Sequence, residues 1–90
     1  MFLVLSYDIE DDKRRVKVAQ KLEDYGTRVQ FSVFECILDE NKTKELLTDI
    51  SELIKEGDSF RCYCLCEGCL KKIKVYGATE ITREQEVYII

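Results

Sequence analysis

Asp8 closes an otherwise apolar stretch, Phe2-Leu3-Val4-Leu5-Ser6-Tyr7, and its carboxylate is the first group in the chain suited to chemistry. Side chains alternate along a strand, so Phe2, Val4, Ser6 and Asp8 share one face while Leu3, Leu5, Tyr7 and Ile9 share the other. A lone carboxylate at a strand end ordinarily caps the turn or helix that follows. Two copies of Asp8 brought together by a twofold axis would instead repel, unless protonated or bridged by a hard cation. Mg²⁺ suits such a place because it takes few protein oxygens and keeps several waters. A water made more acidic by the ion can attack a phosphodiester.

A second candidate is Thr27-Arg28-Val29-Gln30-Phe31-Ser32-Val33-Phe34-Glu35. Its plain reading is β structure with one polar and one apolar face. Its functional reading sets Arg28 to meet a phosphate through its planar fork, Ser32 to hydrogen-bond it, and Phe34 beside the same path. The third is the cysteine group. Cys62, Cys64 and Cys66 alternate, and Cys66-Glu67-Gly68-Cys69 has the two-residue gap of a zinc knuckle. A structural zinc needs four ligands, and a second knuckle with that gap is missing. Small buried or reduced thiols are therefore the simpler expectation.

The composition removes other chemistries. The chain has no histidine, so a Ser-His-Asp or Cys-His system and a histidine base are excluded. Its 14 basic and 18 acidic residues leave a net charge of −4, which argues against non-specific phosphate binding over the whole surface. Local basic clusters remain, at Lys13, Arg14, Arg15 and Lys17 and at Lys71, Lys72 and Lys74. No apolar run nears the ~20 residues of a membrane span. Met1–Leu5 lacks the features of a signal peptide, so no membrane contact and a reducing, cytoplasmic setting are expected.

The elements that must position these groups follow from periodicity. Ninety residues suit a single domain, 1–90. After the first strand, Asp11 or Asp12 caps a helix running to about Tyr25, with Val16, Ala19, Leu22 and Tyr25 as its buried stripe, Val18 adjoining, and Gly26 as a left-handed exit. Residues 27–38 form one bent strand or two strands meeting near Phe31-Ser32. Asp39 or Asn41 caps a second helix on Leu46, Leu47, Ile50, Leu53 and Ile54, ended by Gly57. Strands are expected over Ser59–Leu65, Lys72–Tyr76 and Val87–Ile90. This order predicts an α+β, ferredoxin-like open sandwich: an antiparallel sheet with two helices on one face. The bare face calls for a partner, most simply a second copy, and the C-terminal strand would pair with that partner's sheet.

Taken together, Tyr-Asp-Ile ending the first strand, a basic first helix, the Tyr-Gly-Thr-Arg-Val-Gln turn, Ser-Val-Phe-Glu and the following amphipathic helix resemble the Cas-two family. This is the small CRISPR-associated adaptation nuclease that accompanies the CRISPR integrase. The stretch from Arg61 to Leu70, followed by Lys72-Ile73-Lys74-Val75-Tyr76-Gly77, extends the likeness over essentially the whole chain. The resemblance implies a homodimer that shares a divalent-metal site, Mg²⁺ or Mn²⁺, built from Asp8 of each protomer. It implies that Arg28, Ser32 and Phe34 line that site and that Tyr7 borders it. It also implies endonuclease action on single-stranded RNA or double-stranded DNA, and partnership with the CRISPR integrase in spacer acquisition. Two alternatives stand beside this: a non-catalytic dimer bridging integrase dimers on prespacer DNA, and a toxin-like mRNA interferase.

Overall fold

The alternation read along the first segment becomes β1 (Phe2–Asp8), the strand that organises the sheet. The computed structural model describes residues 1–83. Asp11 accepts the Arg14 amide at 2.8 Å and so caps α1 (Asp12–Glu23). The chain then makes β2 (Gly26–Gln30), turns at Phe31-Ser32, and returns as β3 (Val33–Ile37). Asp39 caps α2 (Glu40–Leu53) through the Lys42 amide, 2.7 Å away. It is followed by β4 (Ser59–Leu65) and a single helical turn, α3 (Glu67–Leu70).

The strand order is β2-β3-β1-β4, with every pairing antiparallel. Two crossovers carry α1 and α2 to the same side, giving the ferredoxin-like arrangement expected from the element order. On that side Leu3, Leu5, Tyr7, Phe34 and Cys36 pack against Val18, Ala19 and Leu22 of α1 and Leu46 and Ile50 of α2. Each fully buried Leu or Phe contributes about 1.5–3 kcal/mol by leaving water, which is what seats the two helices.

The structure corrects several local expectations. Gly26 does not make a left-handed exit, since the positive-φ glycines among the described residues are Gly57 and Gly77. Gly26 is needed because β2 lies so close to β3 that a Cβ there would run into the Glu35 carbonyl oxygen and the Cys36 sulfur. The buried face of α1 is Val18, Ala19 and Leu22, while Val16 is 51% exposed and looks onto the β2–β3 turn. The bent-or-double strand is double, with a bulge between Arg28 and Gln30.

Lys72–Tyr76 is not a strand. The Lys72 and Ile73 amides close turns onto Cys69 and Leu70, and Val75 and Tyr76 stay exposed with no neighbouring strand among the described residues to pair with. Further on, the chain meets the sheet's open face, where the Thr82 amide and hydroxyl donate to Glu35 Oε1 at 3.2 and 2.6 Å. The expected Val87–Ile90 strand lies outside the described residues.

Candidate active site

The carboxyl end of β1 is held from both sides. From α1, the Arg15 guanidinium reaches back to the carbonyl oxygens of Ile9 (3.0 Å) and Glu10 (3.2 Å) and to the Asp12 carboxylate. This braces the loop that follows Asp8. From the β2–β3 turn, Ser32 O accepts the Tyr7 amide at 3.1 Å and Phe31 O accepts the Tyr7 hydroxyl at 3.3 Å. Three of these hydrogen bonds hold backbone atoms on either side of Asp8 (Tyr7 N, Ile9 O and Glu10 O), so its side chain is presented from a rigid support.

Four of the five residues singled out from the sequence meet on the helix side of the sheet. The register places Arg28 opposite Phe34, which shares its face with Leu5. The Arg28 guanidinium lies over the Phe34 ring, 5.4 Å from its centroid, and one of its Nη atoms donates to the Tyr7 hydroxyl at 3.4 Å. The Tyr7 and Phe34 rings stack at 6.4 Å. Ser32 joins them as part of the wall of a pocket shared with Tyr7 and Arg28. Phe34 itself is 0% exposed, so it supports Arg28 from beneath and offers no surface of its own.

Asp8 stands apart. It is exposed and lies on the other face of β1, opposite Ser59 of β4, in line with Val4 and Ser6. Among the described residues no hydrogen bond or ion pair engages its carboxylate. Tyr7 and Asp8 are adjacent in sequence, but strand alternation sends them to opposite faces. The two groups can serve one ligand only at the strand's end, where both faces open to the same rim.

The basic cluster on α1 divides into two kinds of residue. Arg14 is engaged with Asp58 through a two-pronged pair at 2.7 and 3.0 Å, tying α1 to the loop before β4. That pair holds the Asp58 carboxyl below the usual carboxylate range, first by the Arg14 hydrogen bond and then by the Lys55 amide. With Arg15 committed to the β1–α1 loop, Lys13 and Lys17 remain as exposed charges. The stripe is thus a weaker nucleic-acid surface than its four consecutive-looking charges suggested.

Two residues take roles that the sequence reading did not give them. Arg15, read there as part of the basic cluster, braces the loop instead, since a position one turn into the helix is where a long side chain reaches back. Phe31, placed near the meeting of two strands in one of the two readings of 27–38, lies in that turn with its ring exposed.

The cysteines do not assemble. Cys36 is buried and burial, followed by the nearby Cys62, pushes its thiol up to about 11. Cys62, Cys64, Cys66 and Cys69 are exposed free thiols. Among the described residues no three His, Cys, Asp or Glu side chains are grouped to hold a metal, so the zinc-knuckle reading finds no ligand set here.

The sequence model of the family described as CRISPR associated protein Cas2 matches residues 1–73. The chain belongs to the Cas2 family. It is 44% identical over 93 aligned positions, covering all of both chains, to a protein of Chloroflexus aurantiacus named CRISPR-associated endoribonuclease Cas2 1. Among solved structures it is similar to Streptococcus pyogenes Cas2, with a TM-score of 0.73 and 31% identity over 86% of this chain and 100% of that one. It is also similar to a chain of a partial Cas6-RT-Cas1–Cas2 complex, with a TM-score of 0.72 and 29% identity over 82% and 88% of the two chains. The strand register alone carries Asp8 and the Arg28 cluster toward the carboxyl end of β1, on its two faces.

Proposed function

We propose that this chain is a metal-dependent endonuclease that works as a homodimer, with the two Asp8 carboxylates facing each other across a twofold axis. The observation that carries the proposal is the exposed Asp8 carboxylate, unengaged among the described residues, on a braced strand end whose opposite face carries the Arg28–Tyr7 cluster. Relatives named CRISPR-associated endoribonuclease support the nuclease class. One chain offers a single hard oxygen donor, and Mg²⁺ or Mn²⁺ fits the donor set when a second Asp8 arrives from a partner and waters complete the shell. When bound, the ion supplies a more acidic water and an electrophile for a phosphodiester oxygen.

The protein's own contributions follow from position. Arg28 neutralises the charge of an incoming phosphate and is kept over the rim by Phe34. The Tyr7 hydroxyl, already donating to Phe31 O, accepts from Arg28 and fixes its direction. The Arg15 brace holds the loop that follows Asp8 in one conformation. The half-exposed open face, carrying Val4, Val33, Ile37 and Tyr63, is the surface a second copy would cover.

The test compares cleavage of single-stranded RNA and duplex DNA in Mg²⁺, Mn²⁺ or EDTA by wild type and Asp8→Asn. We expect divalent-dependent cleavage that falls by at least about a hundredfold in the variant, the scale on which loss of one transition-state contact registers. Unchanged cleavage by Asp8→Asn overturns the assignment.

A second reading, a dimeric scaffold that partners the CRISPR integrase, is favoured by the likeness to a chain of a Cas1–Cas2 assembly. It predicts integrase binding that survives Asp8→Asn. We place either role in the cytoplasm. No helix among the described residues is long and apolar enough to cross a membrane.

A further inference from the structure

Phe31 is the most exposed large apolar side chain in the described structure, at 93%, yet its turn is tied to the end of β1. Its carbonyl accepts the Tyr7 hydroxyl and the next carbonyl, of Ser32, accepts the Tyr7 amide. A tied-down turn that holds an aromatic ring in water keeps the ring available at little entropic cost. Nothing in the core requires it, since Phe34 and Tyr7 already fill the space beneath.

The ring forms one wall of a pocket of about 320 Å³, with Val16 and Gln20 on the α1 side and Arg28 and Ser32 on the sheet side. Pockets of about 300 Å³ and upward are of ligand size, and this one has room for a single nucleotide unit. Its chemistry is mixed in a particular way. Phe31 and Val16 give a flat apolar surface, Arg28 gives a cation, and Ser32 and Gln20 give hydrogen-bonding groups at the edge. Arg28 is the available cation, because Arg15 is spent on Ile9, Glu10 and Asp12 whereas Arg28 makes one long bond to Tyr7. An apolar protein segment laid on Phe31 would have to strip water from Arg28 and Glu23 without pairing them. An unpaired nucleotide pairs the cation without burying the acid: its base lies on the ring and its phosphate meets Arg28, while the exposed Glu23 carboxylate stays in water.

We infer that Phe31 is a stacking platform for the base of an unpaired nucleotide whose phosphate is held by Arg28, and that it makes this chain prefer single-stranded over fully paired nucleic acid. The inference rests on the nuclease reading for the identity of its ligand class, while binding itself needs neither Asp8 nor metal. In a duplex the base faces are occupied by their neighbours except at the two end pairs, so a helix offers the ring far fewer places than a single strand does. Phe31 would thus be a specificity-determining residue, standing at the rim outside the reacting atoms.

The chain has no tryptophan, so Phe31→Trp places a single reporter at this position. In EDTA, with cleavage silent, we expect a ten-nucleotide single-stranded RNA to quench the indole fluorescence of the Phe31→Trp variant. A blunt RNA duplex of the same sequence, open only at its two end pairs, should quench it far less. In anisotropy titrations with the same labelled oligonucleotides, Phe31→Ala should weaken single-strand binding about tenfold, as loss of one stacked base does, and change duplex binding less than twofold. Absent quenching, undetectable binding of either oligonucleotide, or equal losses on single strand and duplex would overturn the inference. So would a blue-shifted, unquenchable emission from the free Phe31→Trp variant, which would mean that a second copy covers the ring. Any of these results with Asp8-dependent cleavage intact removes the stacking role and leaves the nuclease reading standing. Quenching without Asp8-dependent cleavage does the reverse.

Discussion

Along β1, the residues that face the helices, Leu3, Leu5 and Tyr7, are all buried, whereas on the opposite face burial fades from buried Phe2 through half-buried Val4 and Ser6 to exposed Asp8. The same strand thus serves a completed core on one side and an unfinished surface on the other. The difference extends across the sheet. Phe34 and Cys36 are enclosed, while Val33, Glu35 and Ile37, their neighbours in β3, are only partly covered. The helix side holds the Arg28–Tyr7–Phe34 cluster in one geometry within a single chain. The open side supplies the Asp8 carboxylate, which has no partner among the described residues. Half of the candidate site is therefore intrinsic to the protomer, and half depends on what covers the sheet.

Substitutions on the two faces should accordingly fail in different ways. The largest effect is expected for Leu5→Ala, which removes a fully buried side chain and should cost about 2–5 kcal/mol in urea unfolding. Its unfolding midpoint should shift by the same amount at every protein concentration, and Val4→Ala should cost clearly less. Equal costs at the two positions would erase the distinction between a finished and an unfinished face.

Next in size is Tyr63→Asp on the open face of β4, where the ring is 48% exposed. We expect a folded protein with a weakened dimer, by about tenfold or more in dissociation constant, equivalent to about 1.4 kcal/mol. Sedimentation velocity over a concentration series reads this directly. A variant that associates as the wild type does would show that the twofold interface lies elsewhere, and with it the pairing of the Asp8 carboxylates.

The smallest effect concerns Cys36 on the finished face. Its folded thiol keeps its proton up to about 11, against 9.0 for an ordinary thiol, chiefly because of burial. Between those values the native state holds a proton that the unfolded chain has released. Stability must therefore fall as pH rises through this window. Chemical denaturation at about pH 8.5 and about pH 10.5, either side of the ordinary thiol value, should show that decline. Cys36→Ala, though less stable at both, should show a shallower one. An identical slope in the variant would assign the alkaline loss to other groups.

The local code was legible where one residue's chemistry decides the outcome. Asp39 caps α2, the alternation of residues 2–8 yields β1, and the antiparallel, two-helix layout follows from the order of the elements. It was less legible where two elements compete for one residue. Val16 fits the apolar stripe of α1 by spacing, but the helix is rotated so that Val18 enters the core and Val16 faces the turn. Gly26 has the composition of a helix exit, and only the approach of β3 shows why a side chain is forbidden there. Lys72–Tyr76 has strand-like residues, but a strand needs a neighbour, and none is present among the described residues.

For the candidate site the division is similar. The residue types, Asp8, Arg28, Ser32, Phe34 and Tyr7, were readable because carboxylate, guanidinium and aromatic groups carry their chemistry wherever they stand. Their grouping was not, because alternation, register and the β2–β3 turn jointly place Arg28 over Phe34 and against Tyr7 while sending Asp8 to the opposite face. The elements, their order and the available chemistry were thus already written in the order of the residues, since these depend on short-range periodicity and side-chain type. Which faces are finished, which arginines are spent on bracing and which ring is left in water were settled by tertiary packing alone. Those outcomes are set by contacts between residues far apart in the chain.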